Sequence, residues 1–370
     1  MITVQLVSKP VAPPWNDATT VLVHGILANR VSCRYRFFGT PASHVLETPD
    51  VFCDVVAAAH RFQPSPFDQV RTLARLAWPS PAIDVYHCLF TPNRRTSTTL
   101  RLALGLKRRP VVQTLCSSPE DWSSIASLLF ADRVVAVSQW ARRHLEAQGV
   151  RGVVHIPPGI TPLTPGPDGA ARLRQQHDLP EHRPLLLFAG DYEFSGAHPT
   201  ILAALPDIVR HMPDAIVVFA CRTKTAHAIA IEGGVRSEVD SMGLSAHVRF
   251  LRQVDDFPSL LEMATVMLFP VQSLLKKMDL PLVLLQAMAL RRPLVVSTYG
   301  PLPELLDSGA GVGVPPGNAA ALADAVVSLM ADPSQRAQLG ERAHAAALQR
   351  YSAARMAAEY ERLYLSLGDH

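Results

Sequence analysis

Largely apolar runs rich in β-branched residues alternate with longer helical patterns along most of this chain. In the first half the runs are Ile2–Val7, Ile83–Tyr86, Val111–Leu115, Val134–Val137 and Val153–Ile156. In the second they are Leu185–Ala189, Ile216–Ala220, Val248–Leu251, Val266–Phe269 and Leu294–Ser297. Short runs without strict polar alternation predict strands buried on both faces, and the stretches between them supply covering helices. That is the pattern of parallel, doubly wound α/β sheets. Residues 157–167, PPGITPLTPGP, hold too many prolines for helix or central strand and read as a linker. Closing helices are predicted over 318–331, 335–349 and 353–366, with Ser352 as N-cap of the last.

The chain has 370 residues, more than one hydrophobic core usually organises. Two Rossmann-like domains are expected, 1–160 and 161–350, with a C-terminal helix over 351–370 that could return to the first. Strand ends in such domains face a crevice, so ligands are expected in a cleft between them. A net charge of +3 argues against nucleic acid as a partner. The short run Lys107-Arg108-Arg109 reads as a solvated turn, or as a peripheral contact with a membrane or an anionic acceptor. The five cysteines are odd in number and form no CxxC pair, which fits free thiols in a reducing, cytoplasmic setting. No signal peptide, and no apolar run of roughly 18 residues, is apparent. No metal-ligand motif is apparent either, and no cofactor is expected.

Residues 276–300, KKMDLPLVLLQAMALRRPLVVSTYG, read as a loop, a helix from about Leu282 to Leu290, a turn and a buried strand. Pro281 suits the first turn. The amides of Leu282 and Val283 at the helix front suit a phosphate, and Gln286 lies one turn on.

This stretch resembles the retaining glycosyltransferases of family 4, whose pattern here is a Glu, a loop, a helix, a second Glu and AMA-x-G-x-PVV. Further resemblances are FAGDYEFSGAHPTILAAL (188–205), FADRVVAVSQWARRHLEAQGV with HIPPGI (130–160), VRFLRQVDDFPSLLEMATVMLFPV (248–271) and GVGVPPGNAAALADAVVSLMAD (311–332). Together they cover most of residues 110–350. The resemblance implies a GT-B fold. It also implies metal-independent transfer of a sugar from a nucleotide-diphosphate donor to an acceptor hydroxyl, with retention of configuration. The acceptor could be a small molecule, a glycan or a lipid-linked glycan.

The chain departs from the family at the positions that carry the chemistry. The paired Glu positions hold Met278, flanked by Lys277 and Asp279, and Gln286. The Arg and Lys that neutralise the diphosphate are replaced by Asp191, after Gly190, and Ser195. A first-domain histidine is replaced by Cys116. A departing diphosphate gains negative charge that must be stabilised. Lys277 and Arg222 are the expected replacements, with Lys224 and Lys276 beside them. Asp191 and Glu193 could contact a sugar hydroxyl, position a lysine or cap a helix. Glu304 could hold a ribose hydroxyl or favour its own helix front.

On the acceptor side the candidates are Trp15, Asn16 and Asp17 in the first loop, and His87, Asn93 and Arg94 after the Ile83–Tyr86 run. Each has a plainer reading: Asp17 or Thr19 as a helix cap, His87 as a structural residue. Ser138 reads better as a cap than as a phosphate ligand. Two rival functions stand beside transfer. One is a non-catalytic GT-B homologue within an assembly. The other is a nucleotide-sugar epimerase, which needs catalytic acids that this sequence does not clearly supply.

Overall fold

The computed structural model describes residues 1–13, 17–59, 65–78, 82–119 and 121–368. The chain forms two compact units. Unit 1 comprises Met1–Thr161, Lys277–Asp279 and Arg350–His370; unit 2 comprises Pro162–Lys276 and Leu280–Gln349.

Unit 1 holds a seven-stranded sheet of β1 (Ile2–Val11), β2 (Cys33–Gly39), β3 (Val51–Val55), β4 (Val85–Leu89), β5 (Val111–Leu115), β6 (Arg133–Ala136) and β7 (Val153–His155). Their order is β3-β2-β1-β4-β5-β6-β7, and every pair is parallel. Its helices are α1 (Ala18–Ala28), α2 (Pro66–Ala77), α3 (Arg94–Gly105), α4 (Ile125–Leu128) and α5 (Gln139–Ala147). Unit 2 carries α6 (Gly169–His177), β8 (Leu185–Gly190), α7 (Ala197–His211), β9 (Ile216–Cys221), α8 (Ala226–Ser241), β10 (Val248–Leu251), α9 (Phe257–Met263) and β11 (Val266–Phe269). It continues with α10 (Leu282–Ala289), β12 (Leu294–Ser297), α11 (Pro303–Leu306), β13 (Gly311–Val314), α12 (Ala319–Ala331) and α13 (Pro333–Arg350). Its six strands are ordered β10-β9-β8-β11-β12-β13, again all parallel. Both sheets reverse direction beside their first strand, at β1/β4 and at β8/β11. That switch point is where a doubly wound sheet opens a crevice beyond its strand ends.

Three strands lie outside the expected set. β2, CRYRFFG, interleaves arginines with apolar residues; Arg36 bonds Asp54 of β3 at 2.8 Å while Tyr35, Phe37 and Phe38 are buried. β3 is short and half-exposed. β13, GVGV, has little side chain to signal burial. At its start a Cβ on Gly311 would meet the Leu294 carbonyl oxygen at 2.1 Å, so only glycine fits there.

The last helix, α14 (Ala353–Gly368), packs in unit 1 against α1, β1 and β4. Ser352 caps it, accepting from the Arg355 amide at 3.3 Å. Its docking is polar as well as apolar. The Glu361 carboxylate is buried and accepts from the amides of Val31 (3.0 Å), Ser32 (2.8 Å) and Cys33 (3.3 Å) and from the Tyr35 hydroxyl (3.2 Å). Three converging amides and a phenol replace the water such a group loses on burial.

Candidate functional site

The loop that leaves β8 stands at the switch point of unit 2. The strand LLLFAG is buried until Gly190, and the chain then turns through residues 191–196 into α7. Asp191 shapes that turn: its Oδ1 accepts from the Phe194 amide at 2.6 Å, and its carbonyl accepts from the Ser195 hydroxyl at 2.8 Å. Gly196 takes φ +63° at the front of α7, and a Cβ there would also meet Gln272 at 3.1 Å. This sets the front of the 15-residue α7 beside the switch point, with its first amide, that of Ala197, donating to the Ser195 hydroxyl at 3.4 Å.

Two further loops are tied to this turn. Gln272, after β11, donates its amide to the Ser195 carbonyl at 2.7 Å. Its side chain donates to the Gly196 carbonyl at 3.0 Å and to Thr200 Oγ1 at 3.2 Å. Lys276, further along the same loop, takes φ +59° and holds its ammonium 4.4 Å from the centre of the Phe194 ring. After β9, the Thr225 hydroxyl donates to Glu193 at 2.7 Å and accepts from the Ala228 amide at 3.0 Å, capping α8. Residues Arg222 to Lys224 occupy the connection so tethered. Three cations, Arg222, Lys224 and Lys276, thus stand on loops bound to the 191–196 turn. Gln272 gives no signal in the sequence, because a glutamine just after a strand gains its partners only when the neighbouring loop is in place.

Several expected site residues do other work. Ser195 is 2% exposed and its hydroxyl is spent on its own loop, donating to the Asp191 carbonyl at 2.8 Å and accepting from the Ala197 amide at 3.4 Å. Asp279 is 1% exposed and clusters with unit 1. Its Oδ1 accepts from the Ser118 amide (3.0 Å) and hydroxyl (2.5 Å), and its Oδ2 from the Ser138 hydroxyl (2.6 Å). The donor contact expected of Asp279 is therefore corrected: the carboxylate anchors residues 277–279 at the ends of β5 and β6. Burial raises its pKa above the usual carboxylate range, against the pull of the serine bonds. Ser138 also accepts from the Ala141 amide at 2.9 Å, the cap of α5.

His87 is corrected as well. β4 runs on to Leu89, so the residue lies mid-strand with no exposed surface. Its ring nitrogens face the Tyr364 hydroxyl (2.6 Å) and the Thr114 hydroxyl (2.7 Å). Burial pushes the ring down to about 3, so it stays neutral. Asp17 caps α1, accepting from the Thr20 amide at 3.2 Å, and pairs with Lys9 at 2.8 Å. Asn93 caps α3 through the Thr96 amide at 3.0 Å, and Arg94 follows it, exposed. Trp15 and Asn16 lie outside the described residues. Cys116 is buried, its thiol pushed up to about 12 by burial, which removes it as a nucleophile. In α10, Pro281 stands at the N-cap, Leu282, Val283 and Gln286 are half-buried, and the opposite side is core. Glu304 sits in the first turn of α11. Lys277 clusters with unit 1.

Residues 170–346 match the family Glycosyl transferases group 1. The matched stretch falls almost entirely in the second unit. This is the family that the motifs between residues 188 and 332 resemble. The GDP-mannose-dependent alpha-(1-6)-phosphatidylinositol monomannoside mannosyltransferase of Mycolicibacterium smegmatis is 30% identical over 226 residues, 57% of this chain and 56% of that protein. The aligned stretch thus spans little more than half of that relative. The phosphatidyl-myo-inositol mannosyltransferase of Mycobacterium leprae is 29% identical over 344 residues, 86% of this chain and 85% of that protein. Anabaena HepE, solved in complex with UDP-glucose, has a TM-score of 0.77 at 19% identity, covering 99% of this chain and all of its own. That likeness shows the fold, GT-B. The loop between β8 and α7, with Asp191 and the buried Ser195, lies inside the matched residues.

Proposed function

We propose that the chain transfers a glycosyl group from a nucleotide-diphosphate sugar to an acceptor hydroxyl, with retention of configuration and without a metal. One observation carries this reading. The Lys276 ammonium and the Arg222–Lys224 connection are held on the same turn that opens α7, in a domain matched to this family. Departure of a nucleoside diphosphate concentrates charge on its terminal phosphate. Helix-front amides and cations fixed before the reaction stabilise that charge without reorganising. On this reading Lys276 takes over from the family's lysine at position 195, and Arg222 and Lys224 from its arginine at 191. Lys277 and the front of α10, with Gln286 as a ribose acceptor, are further candidates. Metal independence follows from the resemblance, since amides and cations do the neutralising. Unit 1 is the acceptor side, and the relatives' names favour a lipid-linked polyol. Cytoplasmic residence is part of the same proposal; no helix among the described residues is long and apolar enough to cross a membrane, and all five cysteines are free.

The test is release of nucleoside diphosphate from GDP-mannose, UDP-glucose and ADP-glucose, with wild type and Lys276→Ala. The variant should lose about 100-fold in kcat/KM on the active donor. Binding without turnover of any donor would favour the non-catalytic reading, which the substitutions at Asp191 and Ser195 support. No binding at all would sink both.

A further inference from the structure

The outer faces of α2 and α3 in unit 1 carry apolar side chains where a solvated helix carries polar ones. α2 turns Asp68 and Leu76 inward, with Leu73 against the same core. On its other side Phe67, Val70 and Trp78, just past the helix end, are 64%, 62% and 67% exposed. α3 buries Ser97, Leu100 and Leu104. Leu102 lies opposite them at 68% exposure, and Leu106, one turn on, reaches 85%. The two helices share one core, and Lys107 joins their C-terminal ends: its ammonium donates to the carbonyls of Ala77 and Trp78, both at 3.1 Å. Trp78 is thereby held beside the segment that carries Leu106.

Exposed cations surround these side chains: Arg71, whose guanidinium lies 4.6 Å over the Phe67 ring, then Arg95, Arg108 and Arg109, while Arg101 is spent on the carbonyls of Ser127 and Leu129. The single carboxylate within residues 65–78 and 94–109 is Asp68, and it is spent on the cap of α2, accepting from Ser65. We propose that this face of unit 1 docks on an anionic lipid surface. An indole, a phenyl ring and two leucines can enter the headgroup boundary while arginines on the same face meet lipid phosphates. A second copy would bring like charges together across a twofold contact, which opposes that occupant. The inference stands apart from the donor reading, since a chain inactive as a transferase would still bind.

The experiment is sedimentation of the whole chain with vesicles of phosphatidylcholine alone or mixed with phosphatidylglycerol, at low and high salt. Binding should require the anionic lipid and weaken with salt. Arg108→Gln with Arg109→Gln should lower the partition constant about thirtyfold. Trp78→Ser with Leu106→Ser should lower it several-fold while leaving its salt dependence in place, and the melting temperature of both variants should stay close to wild type. Equal binding to neutral and anionic vesicles, no binding by the wild type, or undiminished binding by both variants would overturn the proposal. So would a self-association or capture of an acidic protein that the variants abolish in the absence of vesicle binding.

Discussion

His87→Gln, compared with wild type across pH, separates a core histidine from a ligand-binding one. The ring is fully buried, and its surroundings are the hydroxyls of Tyr364 and Thr114 and the ring of Tyr360, centred 5.0 Å away. A neutral imidazole can donate at one nitrogen and accept at the other, which suits two hydroxyls. Its pKa is lowered from 6.5 to about 3 by desolvation. The unfolded chain therefore takes up this proton before the folded one does. The contribution to stability is intact above about pH 6.5, falls as pH drops, and levels off near the folded value. At about pH 4.5 the difference is two units, or about 2.7 kcal/mol. A glutamine side chain does not titrate, so the variant should lose about that much less stability than wild type between about pH 7.5 and 4.5, measured as urea unfolding free energies. At neutral pH the variant should already be weaker by about 1–2 kcal/mol through imperfect bonding to Tyr364 and Thr114. Carbon-detected titration of the histidine ring supplies the direct check. A His87 resonance titrating near its ordinary value, or equal acid sensitivity in the two proteins, would refute the reasoning.

Three further outcomes are expected. Glu361→Ala strands three amides and the Tyr35 hydroxyl against the middle of α14, and should cost about 3 kcal/mol, seen as a melting-temperature drop that Glu361→Gln shares only in part. Asp279 has a folded pKa above its unfolded value, so the fold binds its proton more tightly; stability should fall as pH rises from the unfolded carboxylate value through the raised one, and Asp279→Asn should remove that slope in denaturant titrations. Gly196→Val forces a β-branched residue into φ +63° against Gln272, and should destabilise by about 1–3 kcal/mol while weakening donor binding measured by calorimetry; unchanged affinity would separate the 191–196 turn from the donor.

Hydrophobic patterning alone specified the architecture. Strands such as VVQTL and LLLFAG have no polar face, so they had to be covered on both sides, and parallel sheets wound with helices follow. Caps were local and equally legible: Ser138, Asp17 and Ser352 sit where a short hydroxyl or carboxylate precedes a helix, and each makes that bond. Chemistry-bearing residues were another matter, because a side chain's availability depends on neighbours distant in sequence. Asp279 follows two lysines in a family motif and looks like a ligand; Ser118 and Ser138, more than a hundred residues away, close around it. His87 seemed to end a strand, but pairing with β5 carries β4 two residues further and leaves the ring in the core. Gln272 gains its position from hydrogen bonds between the β8 and β11 loops and Lys276 from its contact with the Phe194 ring; the strands are adjacent but the loops lie far apart in the chain, and no local pattern encodes that adjacency. Sequence periodicity decides which faces must be buried; which polar groups are consumed in burying them is decided only when the strands find their order.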